Sequence, residues 1–276
     1  MTMDIAITTY PGHFFMTKLC LDSIRKFYEG RIHILLDDCE VTEWPTYVED
    51  ARRWYGDDVT YHLYSTLMAP YSDWIRSGWW RQQFVKLYMD TYVDSEDIFI
   101  VDGDVIFDRK MDIHIQPTFD SEINDIDQMC DNYVSFMLGT KGHLGDWSRT
   151  SQTPWRLVPR HVLPSLRQHV QKAHGKDFLD LHNDLIMSED IAMTGANRMS
   201  MSEWELIEAY RTYVLDDAYP EHRWGGGWDI RTGRTDSFRH TSETDGVIGR
   251  DWLGRQLEIS DGDWSNSQRW LTNRKW

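Results

Sequence analysis

The chain has 276 residues, 41% hydrophobic and 13% aromatic, which excludes a disordered protein and suffices for one large domain with a substantial core. Its net charge of −16 argues against a nucleic-acid backbone as the main partner. No apolar stretch approaches the ~20 residues that span a bilayer. The start, Met1-Thr2-Met3-Asp4, lacks the basic-then-apolar pattern of a signal peptide. Cys20, Cys39 and Cys130, odd in number and widely spaced, read as reduced thiols of a cytosolic protein.

In chain order, Asp4 to Tyr10 reads as an apolar strand ending in hydroxyl groups, followed by the turn Pro11-Gly12. Phe14, Phe15, Leu19, Leu21, Ile24 and Phe27 fit a helix that Gly30 ends. A second strand, Arg31 to Leu36, stops at Asp37-Asp38. A helix around Trp44 to Trp54 and a short alternating strand, Val59 to Leu63, come next. The pattern then predicts a helix from Trp79 to Tyr92 and the apolar strand Asp97-Ile98-Phe99-Ile100-Val101. Strands alternating with helices imply an α/β fold with a Rossmann-like, mostly parallel sheet flanked by helices.

Beyond Asp108 the pattern loosens. Asn132 to Met137 reads as a strand, and Pro159 to Lys172, Asp177 to Met187 and Met201 to Tyr213 read as helices. The run Gly225-Gly226-Gly227, a strand-like Ser237-Phe238-Arg239 and a terminal helix around Trp264 and Trp270 follow. With no repeat and no low-complexity linker, the expectation is a single continuous domain over 1–276, with halves at 1–110 and 111–276.

The apolar strand 97–101 runs into Asp102-Gly103-Asp104. Two carboxylates one residue apart at the C-terminal edge of an α/β sheet suit a hard divalent cation, Mg²⁺ or Mn²⁺. Gly103 leaves room for a bulky group to approach the backbone. Asp-Gly-Asp is also an ordinary turn, as Asp261-Gly262-Asp263 illustrates, but here Val105-Ile106-Phe107 continues the apolar run. Burying two charges without a cation is costly. Between Asp90 and Asp131 there are 13 acidic residues against Arg109 and Lys110, a net of −11 that would concentrate cations. In the helix ahead of this strand, Arg81, Gln82 and Lys86 are placed to reach a bound ligand, the last two one turn apart.

The order strand–Thr-Thr-Tyr (8–10), then Gly-Trp-Trp-Arg-Gln-Gln-Phe-Val-Lys-Leu (78–87), then Phe-Ile-Val-Asp-Gly-Asp (99–104), resembles glycosyltransferases of the GT-A fold, particularly the small bacterial and viral ones. Ser202-Glu203-Trp204-Glu205-Leu206 is similar to a Ser-Glu-x-Glu-Leu segment of such enzymes. The resemblance covers most of 3–110 and returns near 153–165 and 200–214. It implies that Asp102 and Asp104 hold Mn²⁺ or Mg²⁺ against the diphosphate of a sugar nucleotide, a UDP-sugar in first choice. Thr8, Thr9 and Tyr10 would then contact base and ribose, with Gly103, Arg81, Gln82 and Lys86 also on the donor side. The first 110 residues would form the nucleotide-sugar half and the rest the acceptor half.

Two acidic motifs compete for the base that deprotonates a saccharide or glycan acceptor. Ser188-Glu189-Asp190 matches the x-Glu-Asp pattern of inverting members, and Glu203 opens the Ser-Glu-x-Glu-Leu segment. Either carboxylate can serve if it reaches the hydroxyl, and Glu203 is ranked ahead of Asp190. Glu205 reads as helix surface. The family often adds a late histidine to the metal, which points to His240, with His222 as its rival. Trp224 and Trp228 flank the three glycines and offer flat faces to an acceptor sugar.

Other classes fit less well. A haloacid-dehalogenase-like phosphatase has its paired aspartates on the first strand. An EF-hand fails because Ile106 occupies a ligand position. A pyrophosphorylase needs a Gly-rich basic loop after the first strand. A non-catalytic sugar-binding protein would explain the 14 tryptophans but not the carboxylate pair.

Overall fold

Strand β1 (Met3–Thr9) is buried along nearly its whole length, as are β2 (Ile32–Leu36) and β4 (Asp97–Asp102). Apolar runs of this kind suit strands covered on both faces. The computed structural model describes residues 3–10, 13–39, 44–68, 78–107, 110, 113, 116–119, 125–140, 155–188, 199–216, 221–224 and 247–248. With β3 (Thr60–Leu63) and β7 (Trp155–Pro159) these strands make a five-stranded sheet in the order β3-β2-β1-β4-β7. All neighbours are parallel except β7, which runs antiparallel to β4. The mostly parallel, helix-flanked α/β sheet expected from the sequence is therefore present, and its β3-β2-β1-β4 order is Rossmann-like.

Side chains alternate across the sheet. Ile5, Ile7, Ile34, Leu36, Phe99 and Val101 face α1 (Phe14–Phe27) and α2 (Trp44–Tyr55). Ala6, Leu35, Ile98 and Ile100 face a second core. That core is built by α4 (Gly78–Leu87), α5 (Asp125–Met137), α6 (Val162–His174), α7 (Phe178–Met187) and α8 (Glu203–Tyr210). A short helix, α3 (Ser65–Met68), follows β3. Two small pairings stand beside the main sheet: β5 (Ile106–Phe107) with β9 (Val247–Ile248), and β6 (Gln116–Phe119) with β8 (Glu221–Trp224).

Several expectations change. The strand expected at Asn132 to Met137 is the second half of α5. Met129, Tyr133 and Met137 are buried four residues apart, a helical period. The helix expected from Pro159 is preceded by β7, and α6 begins at Val162. The helix expected to reach Tyr92 stops at Leu87, and a tight turn over Met89–Thr91 follows. Helix α8 gives way to a wider helical turn, Arg211–Leu215, closed by Asp216 in the left-handed region at φ 52°. Glu205 is not on the surface: all eight residues of α8 are buried. The glycine run at 225–227, the strand expected at 237–239 and the terminal helix lie outside the described residues. Among the described residues, no helix is long and apolar enough to cross a membrane.

Candidate active site

The carboxyl ends of β1, β2 and β4 lie side by side, the edge at which open α/β sheets bind ligands. Thr8 pairs in register with Asp102, so their side chains share the face that α4 covers. Three donors converge on one oxygen of Asp102. Lys86 Nζ lies 2.7 Å from Oδ1, Gln82 Nε2 donates to it at 2.9 Å, and Thr8 Oγ1 donates at 3.4 Å. Gln82 also donates to Thr8 Oγ1 at 2.9 Å. None of these bonds involves Oδ2, and the Asp102 side chain is 21% exposed. Half-buried Asp104 follows one turn later. Burial raises the pKa of Asp102; Lys86 opposes that shift and the nearby charge of Asp104 adds to it.

Lys86 links this carboxylate to a second one. Its ammonium donates to Glu203 Oε1 at 2.7 Å, and it lies 4.7 Å from the centre of the Trp204 ring. The side chains of Lys86 and Glu203 are 2% and 5% exposed. Burial alone would lower the Lys86 pKa, but Asp102 and Glu203 more than offset it, so the ammonium form is held. Burial raises Glu203, against the pull of Lys86. Ser202 fixes where Glu203 enters α8 by capping the helix: its side chain accepts from Glu205 N at 3.4 Å.

Behind this chain lies a buried polar layer that periodicity did not reveal. Arg156, one position along β7 from Trp155, is 1% exposed, as are Arg211 and Glu205, and Glu208 is also buried. Burial pulls Arg156 down to about 10, while Glu208 and Glu203 support its charge and Arg211 opposes it. Its guanidinium lies 5.8 Å from the Trp204 ring. An arginine inside the short apolar run Trp-Arg-Leu-Val-Pro was the available signal, since a buried cation requires carboxylates nearby.

On the other side of β1, Thr9 Oγ1 meets Thr17 Oγ1 at 2.6 Å. The room at Gly103 is taken up by the chain itself, not kept for a ligand. A Cβ there would sit 2.6 Å from Thr17 Oγ1 and 2.7 Å from the Thr8 carbonyl oxygen. The Gly103 amide donates to that same carbonyl at 3.0 Å, which locks the carboxylate turn onto β1. Tyr10, 45% exposed, lies against the His13 ring at 3.7 Å between centroids. Arg81 is buried, and its guanidinium pairs with Asp37 at the end of β2. Asp38 accepts from Ser65 N at 2.8 Å and from the Ser65 hydroxyl at 2.5 Å. Asp37 and Asp38, where β2 stops, are thus anchoring groups at this edge.

The structure therefore brings Thr8, Gln82, Lys86, Asp102 and Glu203 into one hydrogen-bonded chain, with Thr9, Gly103 and Asp104 beside it. Asp190, His240 and Trp228 lie outside the described residues, and Trp224 is described only as the last residue of β8. Among the described residues, no group of three or more His, Cys, Asp or Glu could by itself hold a metal ion. Asp102, whose three bonds all fall on Oδ1, and half-buried Asp104 are hard oxygen donors, the type a Mg²⁺ or Mn²⁺ would take.

No protein-family model matches the chain, and a search among curated proteins finds no match. Among solved structures it is similar to mouse xyloside xylosyltransferase 1 in its apo form, at 8% identity over 81% of this chain and 85% of that one, TM-score 0.40. It is similar to the galactosyltransferase LgtC, crystallised with donor and acceptor sugar analogs, at 11% identity over 91% and 99%, TM-score 0.42. A third similarity is to the apo form of the glycosyltransferase GlyE of Streptococcus pneumoniae TIGR4, at 12% identity over 99% of this chain but 64% of GlyE, TM-score 0.42. At these scores no residue role, substrate or metal transfers to this chain.

Proposed function

We propose that the chain is a divalent-metal-dependent glycosyltransferase of the GT-A type, moving a sugar from a nucleotide-sugar donor, a UDP-sugar in first choice, to a hydroxyl of a saccharide or glycan. The observation that carries this reading is the division of Asp102: one oxygen anchored by three protein donors, the other left open beside Asp104 at the sheet edge. In this reading Asp104 and Asp102 Oδ2 hold the cation, with His240 as a further ligand. Thr8, Thr9, Tyr10 and Gln82 line the nucleoside side, Tyr10 offering its exposed ring to the base. Arg81 and Lys86 serve the donor indirectly, by fixing Asp37 and Asp102. Trp224 and Trp228 receive the acceptor. Once bound, the cation would offset the negative charge of the departing diphosphate.

If the reaction inverts the anomeric centre, a carboxylate takes the acceptor proton; of the two candidates Glu203 is buried and held by Lys86, which favours Asp190 in this reading. Calorimetric titration of the full chain with UDP-, GDP- and CMP-sugars, with and without Mn²⁺, tests the reading. The expected result is UDP-sugar binding that requires the metal. Binding that is the same without the metal, or absent for every nucleotide sugar, would overturn it.

A further inference from the structure

The buried contact between Lys86 and Glu203 serves no step of the proposed transfer directly, yet it lies one bond from the carboxylate pair. An ammonium beside a carboxylate competes with an incoming cation for the same two oxygens. Here it is confined to one of them. Lys86 Nζ lies 2.7 Å from both Asp102 Oδ1 and Glu203 Oε1, and the Trp204 ring flanks it. Glu203 is fixed in turn by its place at the start of α8, which Ser202 caps. Gln82 and Thr8 complete the anchoring of Oδ1.

We propose that Glu203 is a positioning residue that draws the Lys86 ammonium to the Oδ1 side of Asp102, so that Oδ2 stays available to the cation. This inference rests on the metal-dependent reading above, and it gives Glu203 a task other than proton removal. With only a few per cent of its side chain exposed and Oε1 engaged by Lys86, Glu203 is poorly placed to meet an acceptor hydroxyl. Neutralising it would leave Asp102 as the carboxylate that Lys86 touches. In a low-dielectric interior the ammonium would then spread over both Asp102 oxygens and compete with the metal.

The test is Mn²⁺ binding in the presence of UDP, with free Mn²⁺ counted by electron paramagnetic resonance on full-length protein and folding checked by thermal melting. Glu203→Gln should weaken Mn²⁺ binding by about 10- to 100-fold, the usual loss when an outer partner of a metal ligand is removed. Adding Lys86→Met to that variant should restore most of the lost affinity, because the competing ammonium leaves too. A merely structural role would predict no such rescue. Should Glu203→Gln fail to fold, Glu203→Asp keeps the charge but shortens its reach, and a smaller weakening is expected. Unchanged Mn²⁺ affinity in the folded variant, or a double variant as weak as the single one, overturns the inference alone. Wild-type protein that binds no Mn²⁺ overturns it together with the metal-dependent reading.

Discussion

Arg81 and Asp37, 44 residues apart in the chain, meet as a two-pronged ion pair. Arg81 Nε lies 2.9 Å from each carboxylate oxygen and Nη2 lies 2.8 Å from Oδ2. The pair ties α4 to the end of β2. The helix that carries Gln82 and Lys86 is thereby registered against the sheet edge whose carboxylate those residues hold.

Breaking a buried pair of this kind leaves one charge short of its partner. Asp37→Ala is expected to destabilise the protein by about 3–5 kcal/mol, measured by urea unfolding. Asp37→Leu combined with Arg81→Leu should cost less than that single change. A loss below about 1 kcal/mol for Asp37→Ala would mean that the pair behaves as a solvated surface bridge.

Gly103→Ala places a methyl group against the backbone of Thr8, which cannot swing aside as a flexible side chain does. The expected cost is about 1–3 kcal/mol, as for other overpacked sites. The carboxylate turn should also separate from β1, which faster amide exchange at Gly103, now bonded to the Thr8 carbonyl, would report. A variant as stable as wild type, with exchange unchanged, would contradict this account of the glycine.

Asp104→Ala should abolish Mn²⁺-dependent binding of a UDP-sugar while leaving the melting temperature close to that of wild type. Retained affinity in this variant, together with indifference to EDTA in the wild type, would remove Asp104 from the metal.

Asp190→Asn keeps size and hydrogen bonding but removes basicity. If Asp190 is the base, turnover should fall by about 10²- to 10⁴-fold with Mn²⁺ and UDP binding intact. If Asp190→Asn leaves the chemical step unchanged, Asp190 is not the base, and the anomeric configuration of the product, read by NMR, then decides whether the transfer inverts or retains.

Acid should destabilise the fold through its buried histidines. His182 Nδ1 lies 2.7 Å from the Phe178 carbonyl oxygen and Nε2 lies 2.8 Å from Tyr133 Oη, an arrangement that suits the neutral ring. Burial pushes its pKa down to about 4, and half-buried His62, beside His33, is also pushed down to about 4. A depressed histidine contributes stability that is complete above its unfolded value near 6.5 and is lost as pH falls toward 4. For His182 the loss between pH 7 and pH 5 is about 2 kcal/mol. Urea unfolding at the two pH values should show it, and His182→Gln should flatten the slope. A slope unaffected by that substitution would mean His182 is protonated in the folded state.

Much of the frame was legible in the sequence. β1, β2 and β4 are apolar runs that end in Thr-Thr, Asp-Asp and Asp-Gly-Asp, and all three endings come to one edge of the sheet. Gln82 and Lys86, one helical turn apart, both reach Asp102. What pattern could not supply was partnership between distant segments. Lys86 and Glu203 are 117 residues apart, and no local period shows that each neutralises the other. That Arg81 pairs with Asp37, 44 residues earlier, was likewise invisible to any local pattern. β7 escaped notice because five residues carry little alternation, and because an arginine in a strand reads as exposed until its carboxylates are located. α5 read as a strand because its buried positions were sampled over too short a window.

The antiparallel strand β7 has a consequence for any attempt to divide the protein. A fragment ending near residue 110 would keep all four parallel strands together with Asp102 and Asp104, yet it would bare the outer edge of β4. That edge would offer unpaired amides and carbonyls along Asp97 to Val101 to a second fragment, the geometry from which sheets aggregate. It would also strand Lys86 in an apolar face with one counter-charge where the whole chain gives it two. The segment that carries the carboxylate pair is therefore not a portable module, and its solubility and its charge balance are both completed by residues more than 50 positions downstream.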